Sequence, residues 1–332
     1  MKIDIFSHIM PQAYYDRMIE LDPKGKDMDK RIRAASALVN LDERFRGMDR
    51  FGDYAQIISL VAPPIESYGS HASDMAKLAN DGMAELVSEY PDRFPGFIAS
   101  LPMNEPHELL AEATRAIKDL GAVGVQVFTN VLGQPLDRPE TLPLFDLMAQ
   151  LDRPVWIHPH RDASFADYQG QPKSHYEIWW AFGWPYDTSV AMTHLVFSGI
   201  FDRHPGIKII THHMGGIIPY LEGKVGSGFD YLGTRTTDED YTLLLKRLKK
   251  RPIDYFRMFY ADTAMFGARA ATVCGLAFFG VDHTLFGTDA PFGPEGKWSY
   301  TTWAIQIIDG LDISSAERQA IYEGNARRLM EL

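Results

Sequence analysis

Eight short apolar runs, each broken by polar, glycine or proline residues and most followed by a stretch with helical spacing, recur along the whole chain. This alternation narrows the fold more than any other feature. The runs are 2–9 (KIDIFSHI), 54–62, 94–103, 122–130, 154–159, 207–216 (IKIITHHMGG), 258–264 and 284–292. Between them, segments such as 72–90 place Met75, Leu78, Ala79, Met83, Leu86 and Val87 at the spacing of one helix face. Strands that alternate with helices build a parallel sheet, and eight such units close most economically into an α/β fold of the (β/α)8 TIM-type barrel class. A length of 332 residues would also fit two domains, but the rhythm is continuous and points to one barrel over 1–332. It is interrupted at about 161–185 and 227–251, too long for ordinary βα connections and expected as inserted loops, the first forming an aromatic lid through YEIWWAFGW.

A formal net charge of −11 argues against a nucleic-acid partner, which usually requires a basic face. No segment approaches the roughly 20 apolar residues of a membrane span, and MKIDIFSH is too polar for a signal peptide. A cytoplasmic protein acting on small molecules is therefore expected. The one cysteine, Cys274, sits in VCGLAFFG and is expected to pack as a small apolar residue.

A closed parallel barrel gathers the carboxyl ends of all its strands at one mouth. Four of the runs bring His8, His158, His213 and Asp289 there. Imidazoles with a carboxylate suit a divalent ion of the zinc, manganese or iron type and leave another histidine for proton transfer. His212 and His213 are adjacent, so on an extended strand only one of them faces the mouth. His160 and the lid's His175 stand as further polar groups near it.

The segments IDIFSHIMP, ERFRGMD with Arg44 and Arg46, HPH, HHMGG followed by IIPY, and GTDAPF resemble the metal-dependent amidohydrolase superfamily. Within it, the chain is most similar to the aminocarboxymuconate-semialdehyde decarboxylase branch, which includes aromatic acid decarboxylases. The resemblance runs in order over nearly the whole chain. It implies HxH or ExH on the first strand, a histidine on the fifth and sixth, and an aspartate on the eighth; here Phe6 takes the first position of the first pair. The ligands it implies are thus His8, His158 and Asp289, with zinc the first expectation for the metal and manganese the second. It further selects His213 over His212 to move a proton, with Asp289 beside it, and Arg44 to grip a carboxylate. Arg46, His160, His175, Trp180 and Phe292 complete the expected substrate contacts. The implied activity is that of a lyase, non-oxidative decarboxylation of a small aromatic or unsaturated carboxylic acid. Hydrolysis of a lactone, ester or amide at the same metal is the alternative, and a metal-poor binding protein, suggested by Phe6, is a third. A homodimer is the assembly the resemblance suggests.

Overall fold

The eight expected strands form one parallel sheet in sequence order in a computed structural model that describes residues 1–237, 240–294 and 298–332. They are β1 (Lys2–His8), β2 (Tyr54–Ser59), β3 (Gly96–Ser100), β4 (Gly124–Phe128), β5 (Val155–His158), β6 (Ile209–Thr211), β7 (Tyr260–Asp262) and β8 (Thr284–Leu285). The sheet curls back on itself: Ile5 N–H donates to the Phe286 carbonyl, Asp289 N–H to Phe6 and His8 N–H to Ala290. A closed parallel sheet has no free edge, so its strands can be apolar on both faces. That is why 54–59 and 96–100 are wholly buried.

Most strands are shorter than their apolar runs. The remaining residues of each run, including Leu60 to Ala62, His212 to Gly216 and Thr288 to Phe292, form the loops at the carboxyl edge. The interrupted stretch at 161–185 lacks regular structure until the turn Trp179–Gly183, which leads into the helix Trp184–Phe197. The second excursion holds a short helix, Thr242–Arg247, while 238 and 239 lie outside the described residues.

The α-helices as far as residue 197 are α1 (Gln12–Leu21), α2 (Asp29–Ala34), α3 (Leu41–Met48), α4 (Ala72–Glu89), α5 (Pro106–Lys118), α6 (Leu142–Gln150) and α7 (Trp184–Phe197). The closed end of the barrel is an apolar layer of Ile3, Ile5, Ile57, Ile98, Trp156, Ile210 and Leu285, packed with Leu329 and Met330. Each fully buried aliphatic side chain there contributes about 1.5–3 kcal/mol. The polar strand ends collect at the other end.

Strict alternation on β1 would group Asp4, Phe6 and His8. The pairing of β1 with β2 instead shifts register between Asp4 and Ser7, and such an irregularity re-aims side chains locally. Asp4 enters a buried polar network, accepting from Tyr54 Oη at 2.5 Å and from Thr288, and burial pushes its carboxyl up to about 7. Phe6 goes with the histidines. Its ring is 4.7 Å from His8, 5.6 Å from His158, 3.5 Å from His212 and 5.4 Å from His213.

Candidate active site

His8 and His158 present the same atom for the same reason. Nδ1 of His8 donates to the Leu60 carbonyl at 3.1 Å and Nδ1 of His158 to the Pro159 carbonyl at 2.7 Å, leaving Nε2 of each as the lone-pair nitrogen. Nε2 of His8 is buried without a hydrogen-bond partner and lies 3.2 Å from Asp289 Oδ1. The two imidazoles are 5.2 Å apart, centre to centre. Burial, with His8 nearby, holds the His158 imidazole well below its usual pKa and so neutral. Among the described residues, no three His, Cys, Asp or Glu side chains are already arranged around one point to hold a metal ion.

The structure revises the expectation that adjacent histidines diverge. β6 ends at Thr211, and His213 and Met214 adopt φ of 53° and 52°, so alternation no longer applies. Both rings join the cluster, 6.2 Å apart. This sharp turn needs Gly216, whose φ is +65° and whose added Cβ would lie 2.3 Å from the Pro185 carbonyl oxygen. Asp289 also has a left-handed backbone, at φ 64°. Non-glycine residues held there cost on the order of 1 kcal/mol or more and concentrate at functional sites.

Nδ1 of His213 donates to the Ala264 carbonyl at 2.9 Å, which turns its Nε2 to the site, and the residue keeps slight exposure at 7%. His212 is fully buried and hydrogen-bonds Asp262 Oδ2 through Nδ1 at 2.5 Å. Burial lowers the His212 pKa despite that carboxylate. Asp262 also accepts from the backbone N–H groups of His213 at 3.0 Å and Ala264 at 2.9 Å. It therefore orients both histidines. The sequence reading passed over Asp262, although YAD ends a strand in a carboxylate just as GTD nearly does.

The expected substrate contacts divide. Phe292 is buried 6.1 Å from the His8 ring, and Trp180 packs on Phe266, which is 4.8 Å from His213. His160 lies beside Trp184, Arg161, Ala62, Pro63 and Tyr68 in a cavity of 880 Å³. Trp184 also touches His158 at 5.7 Å, so this cavity adjoins the imidazole cluster. His175 is exposed on the lid, with its ring against Tyr176, and Arg46 is exposed on α3; the structure brings neither to the cluster.

Arg44 is a correction of a different kind. Its guanidinium is fully buried and donates to Gln56 Oε1, the carbonyls of His8 and Ala37, and Ser7 Oγ, at 2.6–3.2 Å. Burial brings its pKa down to about 10. These bonds tie α3 to β1 and β2 and use four of the five N–H donors of a side chain that is fully buried, away from any ligand. Arg44→Met should therefore lower stability by on the order of 4 kcal/mol, because four buried acceptors lose their donor. The urea midpoint would report it, and a normal midpoint with weakened ligand binding would restore Arg44 as an anchor.

The segment Ile65–His71 that borders the cavity carries Glu66, 2% exposed with Oε1 unpartnered. Burial raises its carboxyl to about 8, against 4.5 in an unfolded chain. Between those values the native state holds more protons than the unfolded state, so stability falls as pH rises and levels off above about 8. Glu66→Gln should remove this slope and gain roughly 4 kcal/mol over wild type by pH 8. Urea titrations at pH 5 and 8 that show the same difference between the two proteins would contradict that assignment.

A family model described as Amidohydrolase matches residues 4–332. The gamma-resorcylate decarboxylase of Polaromonas sp. is 33% identical over 309 residues, covering 88% of this chain and 87% of its own. The 2-amino-3-carboxymuconate-6-semialdehyde decarboxylase of Dictyostelium discoideum is 29% identical, with 100% and 92% covered. Among solved structures, the dihydroxybenzoic acid decarboxylase of Polaromonas sp. JS666, with bound manganese and the inhibitor 2-nitroresorcinol, superposes with a TM-score of 0.78 at 27% identity, covering 100% of this chain and 97% of that one.

Proposed function

The chain belongs to the amidohydrolase family, and from that premise we propose that it is a carboxy-lyase that removes CO2 without oxidation from a small aromatic carboxylic acid. The observation that carries the reading is the imidazole cluster at the barrel mouth, shared with a carboxylate and walled by aromatic rings, in a chain similar to decarboxylases over nearly its full length. In this reaction the bond between ring carbon and carboxylate breaks, its electron pair stays with the ring carbon, and a proton must arrive there. His213 is the group we assign to move that proton, since its Nδ1 is occupied by Ala264 and Nε2 faces the site. Asp262 fixes the backbone that presents it. Trp180, Phe266 and Phe292 offer faces for an aromatic substrate and exclude water.

His8, His158 and Asp289 are the residues that would hold a divalent ion, zinc or manganese. Two supports come from the side chains themselves. The buried Nε2 of His8 lacks a hydrogen-bond partner beside a carboxylate, and imidazoles that share an ion through Nε2 at about 2.1 Å have centres roughly 5 Å apart, near the 5.2 Å of His8 and His158. When bound, the ion supplies a Lewis acid for a substrate oxygen. Incubation with a panel of aryl carboxylates and of lactones tests the activity: CO2 release from the first is expected, and acid release from the second alone would make the chain a hydrolase.

A further inference from the structure

Three buried polar atoms lie in one row across the inside of the barrel: Ser100 Oγ, Gln126 Oε1 and Trp156 Nε1. Their residues are 3%, 2% and 0% exposed, and none of the three atoms has a hydrogen-bond partner among the described residues. Ser100 on β3 is the Cα partner of Gln126 on β4, and Gln126 is the partner of Trp156 on β5. Paired residues of parallel strands project to the same face of the sheet. Here that face is the interior, because Ile98, two residues before Ser100, and Trp156 belong to the inner apolar layer. Gln126 reaches over β3, which separates β4 from β2, and its Nε2 donates to the Leu60 carbonyl at 3.1 Å. The six-membered ring of Trp156 lodges where Gly124 has no side chain, its Cζ3 only 2.5 Å from the position an added Cβ would take.

A buried polar atom left unbonded costs about 1–3 kcal/mol, and native interiors rarely hold several together. The chemistry of these three selects what joins them. Indole N–H only donates, an amide oxygen only accepts, and a hydroxyl does either. A cation would require acceptors alone and an anion donors alone. A water molecule accepts from Trp156, donates to Gln126 and completes its set with Ser100, the three bonds usual for buried water.

We propose that Ser100, Gln126 and Trp156 hold one internal water beneath the imidazole cluster, and that Gln126, fixed by this water, is a positioning residue for His8. The row lies two residues nearer the closed end than Phe128 and His158. The Leu60 carbonyl accepts from Gln126 Nε2 and from His8 Nδ1, each at 3.1 Å. Because a carbonyl only accepts, it keeps the proton of His8 on Nδ1 and the lone pair on Nε2. Ser59 Oγ, 3.3 Å from the same Nδ1, is a hydroxyl that can donate there and so favours the opposite tautomer. By holding the carbonyl from a second side, Gln126 decides this competition for Leu60. A side chain that merely filled the barrel would have no effect on which nitrogen carries the proton.

A high-resolution crystal structure of the full-length protein reads the water directly. A solvent peak within hydrogen-bond distance of all three atoms is expected; no such peak, or three side chains turned to bond one another, would overturn the site. Long-range proton–nitrogen correlation on the His8 ring, in full-length protein before metal is added and at a pH where the imidazole is neutral, reads the tautomer. Wild type should carry the proton on Nδ1, and Gln126→Met should bring up the Nε2–H form beside it. Gln126→Leu carries the same test if Gln126→Met does not fold. An unchanged tautomer would refute the positioning role and reduce Gln126 to packing. Ser100→Ala removes one bond to the water and should shorten its residence about 2- to 10-fold in oxygen-17 relaxation dispersion, the range for losing one hydrogen bond; an unchanged residence would count against the site. None of these measurements requires turnover, so they stand or fall apart from the decarboxylase reading.

Discussion

His213→Ala should lower kcat for decarboxylation by about 10²–10⁴-fold, the usual contribution of a placed proton-transfer group, while leaving metal content and the affinity for an aryl carboxylate within twofold of wild type. His213 is seven per cent exposed, its Nδ1 is bound to the Ala264 carbonyl, and its ring lies against Phe266 rather than at the His8–Asp289 contact. Removing it should therefore take away a proton carrier and no ligand. Single-turnover CO2 release and elemental analysis of the same preparation are the measurements. A variant that loses its metal would move His213 among the ligands, and one that keeps its rate would remove it from the reaction. His212→Ala should behave differently. It removes a buried ring that stacks on Phe6 and frees Asp262, so its loss should appear in stability as well as in rate.

The contrast between these neighbours shows what could and could not be seen in the sequence. Barrel class, strand order and the meeting of His8, His158, His213 and Asp289 follow from periodicity and strand endings, because parallel closure leaves one place for carboxyl ends to meet. Alternation along a strand is equally general, yet it fails at Asp4, which parts from Phe6 and His8, and at His213. A register shift on β1 and left-handed backbone after β6 decide those two positions, and both depend on tertiary pairing. The arginines failed for a related reason. Arg44 and Arg46 both sit on α3, and only packing shows one guanidinium spent on backbone carbonyls and the other exposed on the surface. Asp262 ends β7 much as Asp289 follows β8, and only its bonds to His212 and to the N–H groups of His213 and Ala264 mark it as an orienting carboxylate.

Phe6→His should raise the retention of divalent metal at least tenfold during dialysis against a chelator. The ring of Phe6 lies among four imidazoles and 4.7 Å from that of His8, two residues along the same strand. A phenyl ring there contributes packing and no lone pair. On the ligand set proposed above, an ion beside Phe6 would have only His8, His158 and Asp289 for protein ligands, and added affinity would have to come from water or substrate. Replacing phenyl with imidazole supplies a further nitrogen at a position already walled by rings, with a modest loss of volume that the stacked His212 can follow. Wild type should accordingly take up zinc or manganese on reconstitution and lose it within the dialysis, while the variant retains it; inductively coupled plasma analysis of both reads the difference without reference to turnover. Equal retention in the two proteins would mean that position 6 does not face the ion, and the ligands would then have to be sought on the other side of the cluster, at His160 and the cavity it lines.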